Sequence, residues 1–240
     1  MIVSAREVFM VNSSFSSQVF SDSKADSILN TEMLNWAQVN GKAFAKLMAY
    51  YKCAMMEIET KFNVLNVEFS LQLDRNPISS VKTRLKSVSG IVDKLHRLGE
   101  EISLSAIENS INDVAGVRVI CGFTSDVYML ADAILKQDDI TLVRTKDYIK
   151  TPKANGYRSL HLIVTVPIYL AHEKRLMNVE IQLRTISMDS WASLEHQMRY
   201  KKDVPFTDEM AHELLRCAHL SAELDARMDK LGKLTGCRNT

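Results

Sequence analysis

An α/β (α+β) domain with helical additions at both ends is predicted by three features of this 240-residue chain. From residue 113 onward, short apolar strand-like runs alternate with helix-like segments. Residues 176–184 (LMNVEIQLR) alternate apolar and polar without a break, the pattern of a half-buried strand. Residues 31–61 and the segment after Pro205 carry apolar residues at three- and four-residue spacing, the period of a helix.

The elements follow in order. Residues 12–27 are Ser-rich with few large apolar side chains and read as a poorly ordered lead-in. Met33, Trp36, Ala37, Phe44, Leu47, Met48 and Tyr51 predict a helix over 31–61, weakened at Gly41. Residues 63–72 (NVLNVEFSLQ) are β-prone, and Asp74-Arg75-Asn76-Pro77 reads as a turn. Residues 78–87 read as extended and 88–98 as a helix stopped by Gly99. A short helix spans Ser105 to Ile111. GVRVICGF (116–123) is a strand. Ser125-Asp126 can cap a helix with Val127, Leu130, Ala131 and Ile134 on one face. Residues 140–145 form a strand and 146–158 a polar loop. Residues 160–166 and 176–184 are expected to pair antiparallel, with a helix near 187–200 after them. Thr207 can cap a last helix, along which Met210, Leu214, Cys217, Ser221, Leu224, Met228 and Leu231 form a heptad-like stripe. That stripe fits either packing on the chain's own core or a subunit interface.

Composition excludes several classes. No apolar run approaches the ~18 residues of a membrane span. Cys53, Cys121, Cys217 and Cys237 lack zinc-finger spacing, and a reducing, cytoplasmic setting is expected. The sequence has no GxxxxGK[ST], GxGxxG or HExxH, so any nucleotide is held without a P-loop.

Net charge is only +1, yet the cations are gathered in two places. Residues 75–98 hold Arg75, Lys82, Arg84, Lys86, Lys94 and Arg97 against Asp93, and residues 144–158 hold Arg144, Lys146, Lys150, Lys153 and Arg158 against Asp147. On a strand, Lys82, Arg84 and Lys86 share one face, and Lys94 and Arg97 share a helical face. Donors converging from several elements suit a polyphosphate, although a solvated face or a nucleic-acid surface fits the same pattern. In the second cluster Tyr157 offers a stacking plane, Asn155 an amide and Lys153 a charge. Tyr157 could equally anchor the loop. Along 176–184, Asn178, Glu180, Gln182 and Arg184 face away from the core, and His161 can approach that row. Glu180 on a rigid strand suits a general base or metal ligand, and equally a solvent-facing pair with Arg184. Asp113 stands before the apolar strand that Arg118 interrupts. If Asp113 and Glu180 converge, their summed charge attracts Mg²⁺.

DVAGVRV (113–119), RTKDYIKTPKANGYRSLH (144–161), VEIQLRT (179–185) and WASLEHQMRYK (191–201) occur in order and resemble the synthetase domain of RelA/SpoT-type alarmone enzymes. The resemblance covers about 77–202. It implies a synthetase domain at 77–202 and suits an oligomerisation helix at 203–240, while composition and periodicity alone suggest a lead-in at 1–30 and a helical region at 31–76. Long RelA/SpoT proteins also carry an HD hydrolase domain. This sequence has no His-Asp dipeptide, so a small, stand-alone synthetase is expected.

The family fold is a mixed, mainly antiparallel five-stranded sheet flanked by helices and nucleotidyltransferase-like. The implied reaction moves the β,γ-diphosphate of ATP to the ribose 3′-OH of GTP or GDP. By the same resemblance, Asp113 and Glu180 are catalytic and bind Mg²⁺. Arg84 and Arg118 sandwich adenine, while Lys86, Lys94 and Arg97 hold ATP phosphates. Tyr157 stacks on guanine with Asn155 and Gln182 near its edge. Lys146, Lys153, His161 and Arg184 hold acceptor phosphates or ribose. Arg144-Thr145-Lys146-Asp147 is the basic variant of its motif. Small members commonly form homotetramers through terminal helices, with no membrane and no required nucleic acid. A toxin-like enzyme acting on ATP or the tRNA 3′ end, and a non-catalytic binder, are the alternatives.

Overall fold

The computed structural model describes residues 24–199 and 205–235. Eleven elements are seen among them: α1 (Lys24–Leu73), β1 (Ile78–Leu85), α2 (Val88–Leu98), α3 (Leu104–Ser110), β2 (Ala115–Cys121), α4 (Thr124–Leu135), β3 (Thr141–Asp147), β4 (Leu160–Tyr169), β5 (Lys174–Thr185), α5 (Ile186–Arg199) and α6 (Asp208–Leu234). The strands form one sheet in the order β1-β2-β5-β4-β3, with β2/β5 parallel and the other pairs antiparallel. This is the mixed, mainly antiparallel five-stranded sheet expected, in an α+β arrangement.

One face of the sheet carries the core. Val117 and Val119 of β2, Leu160, Leu162, Val164 and Val166 of β4, and Met177, Val179, Ile181 and Leu183 of β5 are buried there. Tyr51, Ala54, Ile58, Phe62 and Leu65 of α1, with Val127, Leu130 and Ile134 of α4, belong to the same cluster. Strand side chains alternate between faces, so the polar partners of these residues all emerge on the opposite side.

Four readings are corrected. Residues 63–72 are not a strand but the last turns of α1. Phe62, Leu65 and Phe69 continue the helical spacing onto the core, and Asn66 Oδ1 accepts the Ile78 N–H. Tertiary packing overrides their β propensity. The expected lead-in is shortened, because α1 already starts at Lys24; residues 1–23 lie outside the described residues. The Ser125-Asp126 cap is displaced: α4 starts at Thr124, Asp126 accepts the Phe123 N–H from inside the first turn, and Ser125 Oγ is buried without a partner. Asp126 also takes both arms of Arg75, which removes that cation from any ligand site. Finally, Lys146 belongs to a strand, since β3 runs to Asp147.

Thr207 does cap α6, accepting the Met210 N–H. The heptad-like stripe is only partly this helix's inward face: Leu214 and Ser221 are half-buried and meet Trp191 and Ser187 of α5. The buried residues of α6 are Ala218, Asp225 and Gly232, while Met210, Cys217, Leu224, Met228 and Leu231 are exposed. Small and polar residues let α6 lie close against its own chain. Gly156, at φ 87°, shows how close: a Cβ there would meet Ala218 Cβ at 2.4 Å.

Candidate active site

Cross-strand partners share a face of the sheet, so the strand register lays out the polar side directly. One row runs Lys82–Arg118–Gln182–His161–Lys146 across all five strands. The next runs Arg84–Gly116–Glu180–Ile163–Arg144. Glu180 thus sits on the central strand with cations toward both edges. Gly116, beside it, carries no side chain that would cover the carboxylate.

Asp113 lies at the mouth of β2. Lys86 and Lys94 clasp it at 2.8 and 2.6 Å, and the Lys86 N–H donates to Val114 O. Burial pushes the Asp113 carboxyl up, but the hydrogen bonds and charges of the two lysines outweigh that and hold it below the ordinary range. Glu180 behaves in the same way. Burial raises it, and hydrogen bonds from His161 (3.2 Å) and Gln182 (2.8 Å) bring it below its usual value. The charge of Asp113 opposes that lowering, so the two carboxylates feel one another.

On the acceptor side the side chains interlock. Arg184 donates to the Tyr157 hydroxyl at 2.6 Å and to Gln182 Oε1 at 3.2 Å. Tyr157 Oη lies 2.8 Å from His161 Nε2, and His161 Nδ1 lies against Glu180. With the proton on Nδ1, His161 donates to Glu180 and accepts from Tyr157, leaving both ring nitrogens satisfied. Lys153 stands over the rings of both Tyr148 and Tyr157, at 4.8 and 4.9 Å. Tyr157 therefore anchors its loop while keeping a cation on its ring.

Not every expected residue turns to this centre. Asn155 shapes its own loop, accepting the Tyr157 N–H and donating to Glu195. Arg158 pairs with buried Asp225 of α6 at 3.1 Å. Arg97 is exposed on α2 with its Nε on Asp93 O, away from Asp113. Lys150 pairs with Asp147. Arg84 and Lys146 are exposed on the polar face, and Arg84 is near enough to Arg118 to disfavour its charge.

The region found in RelA/SpoT proteins matches residues 83–204. The GTP pyrophosphokinase YwaC of Bacillus subtilis is 43% identical over 178 residues, spanning 74% of this chain and 85% of the relative. The chain belongs to the RelA/SpoT family. Its structure is similar to the small alarmone synthetase 2 of Bacillus subtilis, with TM-score 0.71 at 41% identity, covering 79% of this chain and 98% of that one. It is also similar to the small alarmone synthetase 1 of the same organism bound to its product pppGpp, with TM-score 0.72 at 31% identity, over 79% and 96% of the two chains.

In this RelA/SpoT chain, sequence reasoning missed Tyr148 and Asp189 on the polar face, and gave Lys82 and Arg144, members of the two cation clusters, no individual role. Arg144 shares the row of Glu180. Tyr148 packs edge-on against both Tyr157 and His161. Asp189 of α5 gathers Lys82, Arg118 and Arg184, so Lys82 belongs to the same group. The strand expected over 140–145 already contained Arg144, but the row it shares with Glu180 depends on pairing with β4 and has no local signature. Nothing local marks Asp189, which reads as an acid in a first helical turn. A divalent cation fits Asp113 and Glu180 only as part of a shared shell. No group of three or more His, Cys, Asp or Glu able to hold a metal occurs among the described residues. Two carboxylates completed by substrate phosphates are the usual company of Mg²⁺.

Proposed function

We propose that this chain is a (p)ppGpp synthetase, moving the β,γ-diphosphate of ATP onto the 3′-OH of GTP or GDP. The observation that carries the reading is the convergence of Asp113 and Glu180 on one open sheet face, between a lysine clamp and an interlocked acceptor wall. The new bond joins the ribose 3′-oxygen to the β-phosphorus. The bond between that phosphorus and the α,β-bridging oxygen breaks, and AMP leaves with the oxygen. Such transfer needs in-line placement and neutralised oxygens more than covalent help.

Lys86 and Lys94 are set to share their charge between Asp113 and the donor phosphates. Arg84 and Arg118 offer guanidinium planes for adenine. Lys153, over Tyr157, marks the place where a guanine ring would stack. Glu180 takes the 3′-OH proton, its low pKa keeping it ionised and its orientation fixed by His161 and Gln182. Asp113 and Glu180 would hold Mg²⁺, which supplies charge neutralisation at the transferring phosphates.

The exposed apolar residues Leu220, Leu224, Met228, Leu231 and Leu234 of α6 support assembly with further copies of the chain, as a homotetramer. The absence of a His-Asp dipeptide in the sequence supports synthesis without hydrolysis. A role in stringent-response signalling follows from the product.

The test is direct. The protein is incubated with Mg²⁺ and ATP, then with GTP, GDP, ATP or tRNA, and the products are identified. AMP with guanosine penta- or tetraphosphate is expected. A pyrophosphorylated adenosine or tRNA product, or no turnover, overturns the proposal.

A further inference from the structure

Resting on that proposed activity, we infer that Asp189 is a positioning residue that sets the donor-side Arg118 and the acceptor-side Arg184 relative to one another through a single carboxylate. The chain passes from β5 into α5 at Thr185–Ile186, and the Met188 N–H donates to Thr185 Oγ1. This tight junction brings Asp189, in the first turn of α5, over the polar face of the sheet. Its Oδ1 accepts from Arg118 at 3.1 Å and from Arg184 at 3.0 Å, and its Oδ2 accepts from Lys82 at 3.1 Å. Cations from three neighbouring strands therefore meet on one buried side chain.

Two observations favour positioning over simple anchorage of the helix. First, α5 is already held elsewhere: Trp191 Nε1 donates to Leu214 O, and Met188, Trp191 and Ala192 are buried. Second, both guanidiniums lead onward into the site. The second arm of Arg184 continues through Tyr157 and His161 to Glu180. Arg118 stands in the row beside Gln182, one third of its side chain open to solvent. The Nε atoms of both arginines are buried without partners, so Asp189 restrains the Arg118 plane through its Nη1 and shares the restraint of Arg184 with Tyr157 and Gln182. Burial opposes the charge of Arg118 most, the like charge of Arg184 opposes it further, and the shared carboxylate offsets part of both. Without it the two arginines would be free to shift independently, in a reaction where ångström displacements matter.

The experiment is a pair of double-mutant cycles read as KM for ATP and KM for the guanosine acceptor. Asp189→Asn should raise both KM values about tenfold and lower kcat, the scale of one weakened charge-assisted contact. Added to Arg118→Ala, it should raise the ATP KM no further. Added to Arg184→Ala, it should raise the acceptor KM no further, because Asp189 acts on each substrate only through that arginine. Unchanged KM values in Asp189→Asn, or a full additive rise in either cycle, overturns the inference. If Asp189→Asn gives no cooperative thermal melt, Asp189→Glu, which keeps the charge but displaces it by one methylene, enters the same cycles. Wild-type turnover separates the two levels: without it the proposed function falls, and with it only the role of Asp189 is at stake.

Discussion

The donor side and the acceptor side of this sheet are built differently. Around Asp113 the contacts are few and simple: two lysines from β1–α2 and α2 reach one carboxylate, each through a flexible stem. Around Glu180 the contacts form a chain, Asp189–Arg184–Tyr157–His161–Glu180, in which most members hold two others. The loop bearing Tyr157 is also pinned from behind, by the closeness of Gly156 to Ala218 and by the Arg158–Asp225 pair. Lysines can swing from Asp113 to a phosphate at little cost, because the ammonium is a point charge. A network of fixed donors cannot adjust that way, so it determines geometry. The donor side supplies charge and the acceptor side supplies aim.

The largest effect expected from this contrast is at the carboxylates. Glu180→Gln should lower kcat by roughly 10²–10⁴, the contribution of a positioned general base. Circular dichroism should stay close to wild type and the melt cooperative, since Gln keeps the size of the side chain and one of its two acceptors. Near-wild-type turnover would remove Glu180 from the chemistry.

An intermediate effect should separate the two sides. Gly156→Ala forces a methyl group against Ala218 at a positive φ, which should destabilise the protein by about 2 kcal/mol. It should raise the acceptor KM while leaving the ATP KM within twofold, since of the two sides of the site the loop meets the acceptor side. Equal changes in both constants would mean that the halves are not separable in this way.

The last effect concerns acid stability. Burial raises the Asp189 carboxyl, but the Lys82 hydrogen bond and the Arg118 and Arg184 charges leave it below its ordinary value. A depressed carboxylate adds stability that is complete above its unfolded value near 3.8 and is lost as pH falls through the lower folded value. Asp189→Asn should therefore be less stable than wild type at pH 7, by roughly 3 kcal/mol for a broken buried pair. Denaturant melts should show that gap narrowing below about pH 4. A constant gap from pH 7 to pH 3 would contradict the assignment.

The parts of the site that were legible in the sequence are those with a local period. The alternation in 176–184 placed Glu180, Gln182 and Arg184 on one face, and that in 80–86 placed Lys82, Arg84 and Lys86 on another strand's same side. Misreadings came where local preference and packing disagree. Residues 63–72 have the composition of a strand, yet Phe62, Leu65 and Phe69 find their core only as a helix. Pairings such as Lys86–Asp113, Arg158–Asp225 and Lys82–Asp189 had no signature, because their partners lie 27, 67 and 107 residues apart.

Strand and helix periods, motif order and the uneven spread of charge are properties of neighbouring residues. They determined the fold class, the family and most of the side chains that line the polar face. Which cation meets which carboxylate was decided by strand register and by the entry of α5 and α6 over the sheet. Those contacts follow from how distant segments pack, and no local pattern of residue types encodes them.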